Sequence, residues 1–281
     1  RNAFLSPSSG HGGRPEQQPL RVAAHAVHEC NDDIHIPDLK KHRILGEGFF
    51  GQVWLVSDAE DRPFALKKLC KYDILAEDQV HAVLAERQIL LHLHHPGIVQ
   101  LRDSCQDDVS LYILQDFLPG GELFSLLHNS PNTMLPESSC RFYTACITDA
   151  LWYMHCQGIV YRDLKPENVM IDGNGYPVLI DLGYAKVITD KTYTLCGTPK
   201  YLAPEMVEGA GHSFTVDYWS LGVMLYELLC GEHPFEFWHG MDEMALYNSI
   251  AEADYLELPE NLVSRDAIEF IDKLLIKTPE L

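Results

Sequence analysis

Several short segments of the chain carry residue types suited to phosphoryl transfer, a reaction that requires phosphates to be held, their charge neutralised and a hydroxyl oriented. Gly46, Gly48 and Gly51 stand in the segment GEGFFGQV, where backbone amides could approach phosphate oxygens without a Cβ in the way. Dinucleotide-binding turns share this spacing, but strand-like residues follow it here, which favours a hairpin. Taken alone, an ordinary glycine-rich turn accounts for the segment equally well.

A lysine and a glutamate stand at positions where an unpaired charge would be costly. Lys67 lies in the middle of the apolar strand pattern RPFALKKL, and Glu86 falls on the apolar side of the next helical pattern. Because a buried charge without a partner is heavily penalised, pairing would resolve both problems and would aim Lys67 at the phosphates. The alternative is that Lys67 and Lys68 both extend their amino groups to solvent.

The segment YRDLKPEN, residues 161–168, is dense in functional groups and lies between two apolar runs. Asp163 could orient a hydroxyl, Lys165 could neutralise a transferring phosphate, and Asn168 could bind a metal ion. Asp181 ends the strand-like run YPVLI and begins the triplet DLG, a natural position for a Mg²⁺ ligand. A simple polar turn explains the polarity of the first segment but not this combination of groups.

The secondary-structure patterns around these residues change from strand to helix along the chain. Residues 42–70 and 110–117 show strand patterns, and residues 76–93 show a helical period. The apolar side of that helical period, which Glu86 shares, consists of Val80, Val83, Leu84, Leu90 and Leu91.

After residue 120 the patterns become helical. A helix that begins near Pro136 and stops at Gly158 places one set of residues at helical spacing, namely Phe142, Cys146, Ala150, Leu151 and Met154. The run VDYWSLGVMLYELLCG is apolar on nearly all sides, which is typical of a buried helix. We therefore predict an α+β fold with a small sheet-rich half, a larger helical half and a ligand cleft between them.

The composition narrows the function classes further. The 281 residues include 41 acidic and 21 basic side chains, a net charge of −20 that argues against nucleic-acid binding. An acidic surface favours basic partners, and solubility alone is the alternative explanation of this charge. Eight scattered cysteines without a C-x-x-C pair argue against a zinc site or a disulfide scaffold and indicate reduced thiols in a cytoplasmic protein. We identify no signal peptide and no apolar run long enough for a membrane span.

Taken in order, these motifs resemble the signature of the protein kinases, which ends in A-P-E at residues 203–205. The resemblance covers about residues 42–281, and RFYTAC, TLCGTPKYLAPE and DYWSLGVMLYELL are similar to the cyclic-nucleotide-dependent group. DYWSLG and RFYTAC favour the cGMP-dependent branch, with the cAMP-dependent catalytic subunit second. The resemblance implies a bilobal fold, with a small antiparallel sheet lobe with one main helix at 38–117 and a mainly helical lobe at 118–281. Residues 1–37, whose segment SPSSGHGGRPEQQP has turn formers and no periodicity, are predicted to be a disordered linker.

The resemblance also implies an activity and a set of site residues. The expected reaction is transfer of the ATP γ-phosphate to protein Ser or Thr, with Lys165 after Asp163 typical of this specificity. ATP and Mg²⁺ are the implied cofactors, with Asn168 and Asp181 as metal ligands, Glu86 holding Lys67, and Gln115 guarding a deeper pocket. The ATP-binding residues would be Gly46, Glu47, Gly48, Phe49, Phe50, Gly51, Val53, Ala65, Lys67, Asp116, Leu118 and Met170.

The resemblance further implies regulation and substrate choice. Thr194 matches an activation-loop phosphorylation site, with Arg162, Lys186 and His81 as the pocket for its phosphate. Acidic positions expected to recognise arginines before the acceptor are Glu122, Glu167 and Glu227. We further expect a cyclic-nucleotide-binding regulatory module, in the same chain or a separate one. A kinase-like scaffold that binds without catalysis is the alternative.

The chain departs from the family pattern at a few positions. Leu182 replaces the usual Phe after Asp181, Tyr161 replaces His before Arg162, and Lys200 exchanges a carboxylate for a cation near the peptide site. Because the chain starts with Arg rather than Met, we interpret it as a fragment. Because it stops at KTPEL, where the family pattern continues, we interpret it as truncated at the C-terminus. Glu205 would then lack its usual arginine partner, and the fragment would be less stable and less active than the full protein.

Overall fold

The computed structural model describes residues 36–235, 242–252, 255–258 and 263–278. Most of the predicted linker, residues 1–35, lies outside the described residues. The last part of it is packed, because Ile36 lies in a short 3₁₀ turn, is buried, and belongs to an apolar cluster with Val56, Phe64 and Leu66. The packed structure therefore includes residues before the predicted boundary at residue 38.

The small lobe contains a five-stranded antiparallel sheet in the order β1-β2-β3-β5-β4. Its strands are β1 (Lys40–Gly48), β2 (Gly51–Ser57), β3 (Pro63–Cys70), β4 (Leu101–Gln106) and β5 (Ser110–Asp116). The buried residues Phe64, Leu66 and Leu114 pack on the side that Ile36 covers, as the alternation of strand side chains requires. Lys67, the neighbour of Leu66, points to the opposite face.

Two helices follow β3, α1 (Lys71–Ala76) and α2 (Val80–His92). On α2 the buried residues include Val83, Glu86, Ile89 and Leu90. The predicted apolar side was wrong at Leu84, which is 49% exposed, while Ile89 takes the buried place. Glu86 is thus carried on the buried face, where it points toward the sheet.

The larger lobe is mainly helical, as predicted. Its helices are α3 (Leu123–His128), α4 (Glu137–Cys156), α5 (Pro204–Val207), α6 (Thr215–Cys230), α7 (Glu243–Glu252) and α8 (Arg265–Leu274). Two antiparallel pairs of short strands lie beside α4, β6 (Ile159–Val160) with β9 (Lys186–Val187) and β7 (Val169–Ile171) with β8 (Pro177–Leu179).

The core of this lobe forms around α6, whose residues are buried on nearly all sides, as its apolar composition predicts. Helix α6 ends at Gly231, which takes the left-handed conformation (φ 72°) that favours glycine at a helix end. Among the residues at helical spacing on α4, Phe142 is 41% exposed and lies against Tyr176. Within the described residues, no helix is long and apolar enough to cross a membrane.

Candidate active site

The glycine-rich segment forms the predicted hairpin, with Phe49 and Phe50 at the turn between β1 and β2. A Cβ built on Gly51 would lie 1.9 Å from the backbone oxygen of Lys68, so only glycine permits this approach of β2 to β3. A Cβ built on Gly46 would meet no atom within 4 Å. Gly46 is therefore not required by protein packing.

Strand β3 and helix α2 bring Lys67 and Glu86 together beneath the hairpin. Lys67 Nζ lies 2.8 Å from Glu86 Oε1, and Glu86 is only 4% exposed. The predicted pairing of these two side chains is confirmed. Burial by itself lowers the pKa of Lys67, but the charges of Glu86 and Asp181 outweigh it and hold this pKa above its ordinary value, so Lys67 is protonated.

A cavity of about 270 Å³ lies between the hairpin, β3 and α2. Its lining includes Lys67, Glu86, Asp181 and Gly183, together with the hairpin residues 48–53. The segment that begins at Asp181 therefore faces the lysine across this space. A protonated amine opposite an exposed carboxylate suits a ligand that carries phosphate and metal.

The segment 161–168 forms a compact network around Asp163, which is 5% exposed. Asp163 Oδ2 accepts a hydrogen bond from Asn168 Nδ2 at 2.7 Å and lies 3.0 Å from Lys165 Nζ. Thr198 Oγ1 donates to Asp163 Oδ1 at 2.7 Å and accepts from Lys165 Nζ at 2.6 Å. Three partners therefore hold the Asp163 carboxylate in one orientation.

Thr198 was not among the residues that we identified from the sequence. It lies in the quoted segment TLCGTPKYLAPE, 35 positions after Asp163, and no local pattern relates the two. Asp217 was also missed, although a lone Asp in an apolar helix could have drawn attention to it. Its carboxylate, 0% exposed, accepts the backbone N–H groups of Tyr161 and Arg162 at 2.9 and 2.7 Å and so anchors the turn before Asp163.

Asn168 and Asp181 are brought close by backbone pairing. Ile180, the residue before Asp181, donates its N–H to the backbone oxygen of Asn168 at 3.0 Å. The Asn168 amide nitrogen is bound to Asp163, which leaves its Oδ1 for another donor or a metal, and Asp181 Oδ1 accepts from the Gly183 N–H at 3.1 Å. Leu182 is buried, so the apolar role expected at this position is filled.

The residues expected around a nucleotide base lie on both lobes. Val53 and Ala65 are half-buried on β2 and β3, and Met170 is half-buried on β7. Gln115 pairs with Ala65 at the end of β5, and the next residue, Asp116, forms an ion pair with Arg102. Leu118 follows as a half-buried residue of the connection between the lobes.

The residues expected to form a phosphate pocket for Thr194 differ in exposure and in hydrogen-bond partners. Thr194 and His81 are exposed, and among the described residues no hydrogen bond or ion pair joins either of them to Arg162 or Lys186. Lys186 Nζ instead donates to Thr192 Oγ1 at 2.9 Å, and Arg162 Nε donates to the backbone oxygen of Tyr184 at 2.8 Å.

The acidic positions expected to bind substrate differ in environment. Glu122 is exposed at the start of α3, whereas Glu227 accepts a hydrogen bond from the Tyr201 hydroxyl. Burial raises the pKa of Glu227, the Tyr201 hydrogen bond opposes this rise, and the charge of Glu167 adds to it. Glu167 Oε2 is buried without a hydrogen-bond partner. Glu227 therefore has a neutral partner within the chain, which the sequence analysis did not foresee.

Other polar groups also have local partners. Glu205 Oε1 accepts a hydrogen bond from Thr215 Oγ1 at 3.1 Å, and burial raises its pKa against the effect of that bond. His95 lies 3.1 Å from Asp149, and His94 lies 3.2 Å from Gln100. Among the described residues, no group of three or more His, Cys, Asp or Glu side chains could hold a metal ion alone.

Comparison with known proteins agrees with this geometry. The family model described as protein kinase domain matches residues 39–281. A cAMP-dependent protein kinase catalytic subunit of Arthrobotrys oligospora is 39% identical over 278 residues, which cover 99% of this chain and 52% of that protein. A cGMP-dependent protein kinase of Drosophila melanogaster, isozyme 2 forms cD5/T2, is 41% identical over 258 residues, or 90% of this chain and 27% of the relative.

A further relative is the cGMP-dependent protein kinase 2 of Mus musculus, 42% identical over 225 residues, which cover 79% of this chain and 29% of the relative. The chain thus spans about half or less of the length of these relatives.

Proposed function

The chain belongs to the protein kinase family, and from this premise we propose that it transfers the γ-phosphate of ATP to Ser or Thr hydroxyls of protein substrates. One observation carries the proposal. Lys67, which is protonated, and Asp181 line one cavity, and the residue before Asp181, Ile180, pairs with the backbone of Asn168, whose side chain holds Asp163.

Each residue has a role that its contacts support. Lys67, held by Glu86, would bind phosphate oxygens as a fixed positive charge beneath the hairpin. Asp163 would accept the hydrogen bond of the substrate hydroxyl and orient it for attack. Lys165, which lies against both Asp163 and Thr198, would neutralise charge on the transferring phosphoryl group.

The two proposed metal ligands fit Mg²⁺. Asn168 Oδ1 and the Asp181 carboxylate supply hard oxygen donors, which this ion prefers, and Mg²⁺ is commonly held by one or two protein oxygens together with substrate phosphates. When bound, Mg²⁺ supplies charge neutralisation to the phosphates. The chain itself contributes the orientation of these donors, through the hydrogen bonds of Asn168 to Asp163 and of Asp181 to Gly183.

Basic peptides are the substrate class that we propose, with Glu122, Glu167 and Glu227 as their recognition residues. The buried, unpartnered oxygen of Glu167 and its repulsion with Glu227 favour a cation from the substrate. A degenerate peptide library around a fixed Ser or Thr tests this. Enrichment of Arg or Lys upstream of the acceptor is expected, and E167Q should weaken it, whereas a flat profile would contradict the substrate class.

Regulation forms part of the same proposal. The names of the relatives support control by cyclic nucleotides through a regulatory module, and the resemblance supports Thr194 as an activating phosphorylation site. The cytoplasmic location that we also propose is supported by the scattered cysteines. T194A should lower kcat/KM, and full activity of this variant would refute the role. Cyclic nucleotide should change the activity of the protein that contains the module, and cell fractionation tests the location.

The decisive experiment measures phosphopeptide formation from ATP and Mg²⁺ by mass spectrometry. We expect turnover by the unaltered chain and a loss of roughly 10²–10⁴ in kcat for D163N, with nucleotide binding retained. Nucleotide binding without turnover by the unaltered chain would favour the scaffold alternative. Failure to bind nucleotide with Mg²⁺ would contradict the proposal altogether.

A further inference from the structure

Lys200, one of the positions at which the chain departs from the family pattern, lies on the segment that borders Asp163. Thr198, two residues earlier, donates its hydroxyl to Asp163 at 2.7 Å, and Lys200 is half-buried in the 3₁₀ turn Pro199–Tyr201. A peptide whose hydroxyl reaches Asp163 must therefore pass close to this turn. The proposed function assigns no role to Lys200.

Two side chains of the larger lobe hold the backbone of this turn. His233 Nε2 donates to the backbone oxygen of Lys200 at 2.7 Å, and Ser220 Oγ on α6 donates to the backbone oxygen of Tyr201 at 2.8 Å. Burial lowers the pKa of His233 against the opposing effect of its hydrogen bond, so the imidazole is neutral at pH 7 and adds no charge. The side chain of Lys200 therefore extends from a fixed point of the backbone.

Two carboxylates lie behind the turn. Glu227 on α6 accepts a hydrogen bond from the hydroxyl of Tyr201, the residue after Lys200. Burial raises the pKa of Glu227, and the negative charge of Glu167 adds to this rise. One oxygen of Glu167, Oε2, is buried without a hydrogen-bond partner. The two carboxylates therefore repel each other, and a cation placed beside them is favoured.

Lys200 supplies positive charge to this pair from within the chain. Its charge opposes the rise in the pKa of Glu227, and His128, which is exposed on α3, acts in the same direction. Because Glu227 is half-buried, its interaction with a cation is screened less than an interaction on the open surface. The charges of Glu167, Glu227 and Lys200 add up to a single negative charge, which one substrate cation neutralises.

We propose that Lys200 determines substrate specificity by supplying the cation that Glu227 would otherwise take from the substrate. The inference rests on the proposed function, in which Glu167 and Glu227 recognise basic side chains. The favoured peptide then carries one arginine or lysine before the acceptor, which Glu167 binds. A second basic side chain near Lys200 adds little affinity, because the two cations repel each other, and an acidic or neutral side chain fits that position better.

The test measures the binding of fluorescent peptides in which alanine replaces the acceptor, so that no turnover is needed. The peptides carry no arginine, one arginine or two arginines, at each position and pair of positions before the alanine. Their Kd values are determined by fluorescence anisotropy, with and without ADP and Mg²⁺. For the unaltered chain, the best second arginine should lower Kd by less than about 3-fold. In K200M, which keeps most of the apolar stem, and in K200E, it should lower Kd by about 10-fold or more, with the larger effect in K200E.

The matched control is K273E, because Lys273 is exposed on α8 and this substitution changes the net charge by the same amount as K200E. The effect of the second arginine should be absent in K273E and should disappear in the double variant K200M/E227Q.

Three results would overturn the inference. The first is a second arginine that improves binding to the unaltered chain as much as to K200M. The second is an equal gain in K273E and K200E, which would mean that net charge alone attracts basic peptides. The third is the absence of peptide binding by every variant. Absence of turnover with the expected binding pattern intact would contradict only the proposed reaction, so the two failures remain distinguishable.

Discussion

Removal of the Glu86 charge tests the electrostatic basis of the site most directly. The substitution E86Q preserves the shape of the side chain but leaves Lys67 with the more distant Asp181 as its remaining negative neighbour. The Lys67 and Glu86 side chains are 24% and 5% exposed, so this ion pair is less buried than a core ion pair and more buried than a surface ion pair. Breaking a fully buried pair costs about 3–5 kcal/mol, and we expect about 2–3 kcal/mol here, because Lys67 keeps some solvent and Asp181.

The expected consequences appear in two assays. A loss of about 2–3 kcal/mol should lower Tm by roughly 5–10 °C in a chain of this size. Since Lys67 would no longer be held over the phosphates, kcat/KM should fall by about 10²-fold. The matched control is E269Q, the same chemical change in the exposed ion pair with Arg265, for which we expect less than about 0.5 kcal/mol and unchanged kinetics.

The outcome that refutes this reasoning is equally specific. If E86Q and E269Q shift Tm by the same small amount, the Lys67–Glu86 pair does not contribute as a buried interaction. If Tm falls as expected but kcat/KM is unchanged, the pair stabilises the small lobe without positioning Lys67 for catalysis.

Three further predictions follow from contacts in the site. T198V should lower kcat by roughly 10- to 100-fold with little change in the KM for ATP, since the Thr198 hydroxyl orients Asp163. T198S keeps the hydroxyl and should have nearly the original kcat. Equal activity of the two variants would contradict this role of the hydroxyl. G51A should destabilise the chain by about 1–3 kcal/mol, because its Cβ would overlap a backbone carbonyl of β3. G46A should change the stability by less than about 0.5 kcal/mol. If chemical denaturation gives the two variants the same free energy of unfolding, the packing argument is refuted. The pKa of His212 is lower in the folded state than in the unfolded state, so the unfolded state binds more protons below about pH 6.5. The free energy of unfolding should therefore fall as the pH drops from about 6.5 toward 4, and it should fall less steeply in H212Q. Parallel curves of unfolding free energy against pH for the two chains would exclude this contribution.

Sequence patterns predicted the helices and strands correctly where the periodicity was long and where the whole element was buried or alternated regularly. The nearly all-apolar run of α6 and the alternating strands of the small sheet belong to this class. Leu84 on α2 and Phe142 on α4 show the limit, because each helix was correctly identified but this apolar residue of its pattern faces outward. Helical spacing identifies the apolar face of a helix, but it does not define the border of that face sharply. Whether an apolar residue at the border is buried depends on the element that packs against the helix.

In the candidate site, too, the sequence identified residues but not all of their partners. Motif spacing identified Lys67, Asp163, Asn168 and Asp181 because their chemistry is local to short segments. Glu86 was identified because a carboxylate on an apolar face signals a buried partner, and the sheet supplied one.

Residue types and their spacing were therefore enough to locate the segments that carry reactive groups, to indicate which of these groups are buried, and to point to the family. The partners of those groups became known from the folded chain: Thr198 on Asp163, Tyr201 on Glu227, and Thr192 rather than Thr194 on Lys186. Hydrogen bonds between residues tens of positions apart leave no periodic trace in the chain, because they depend on where two loops meet after the helices have packed.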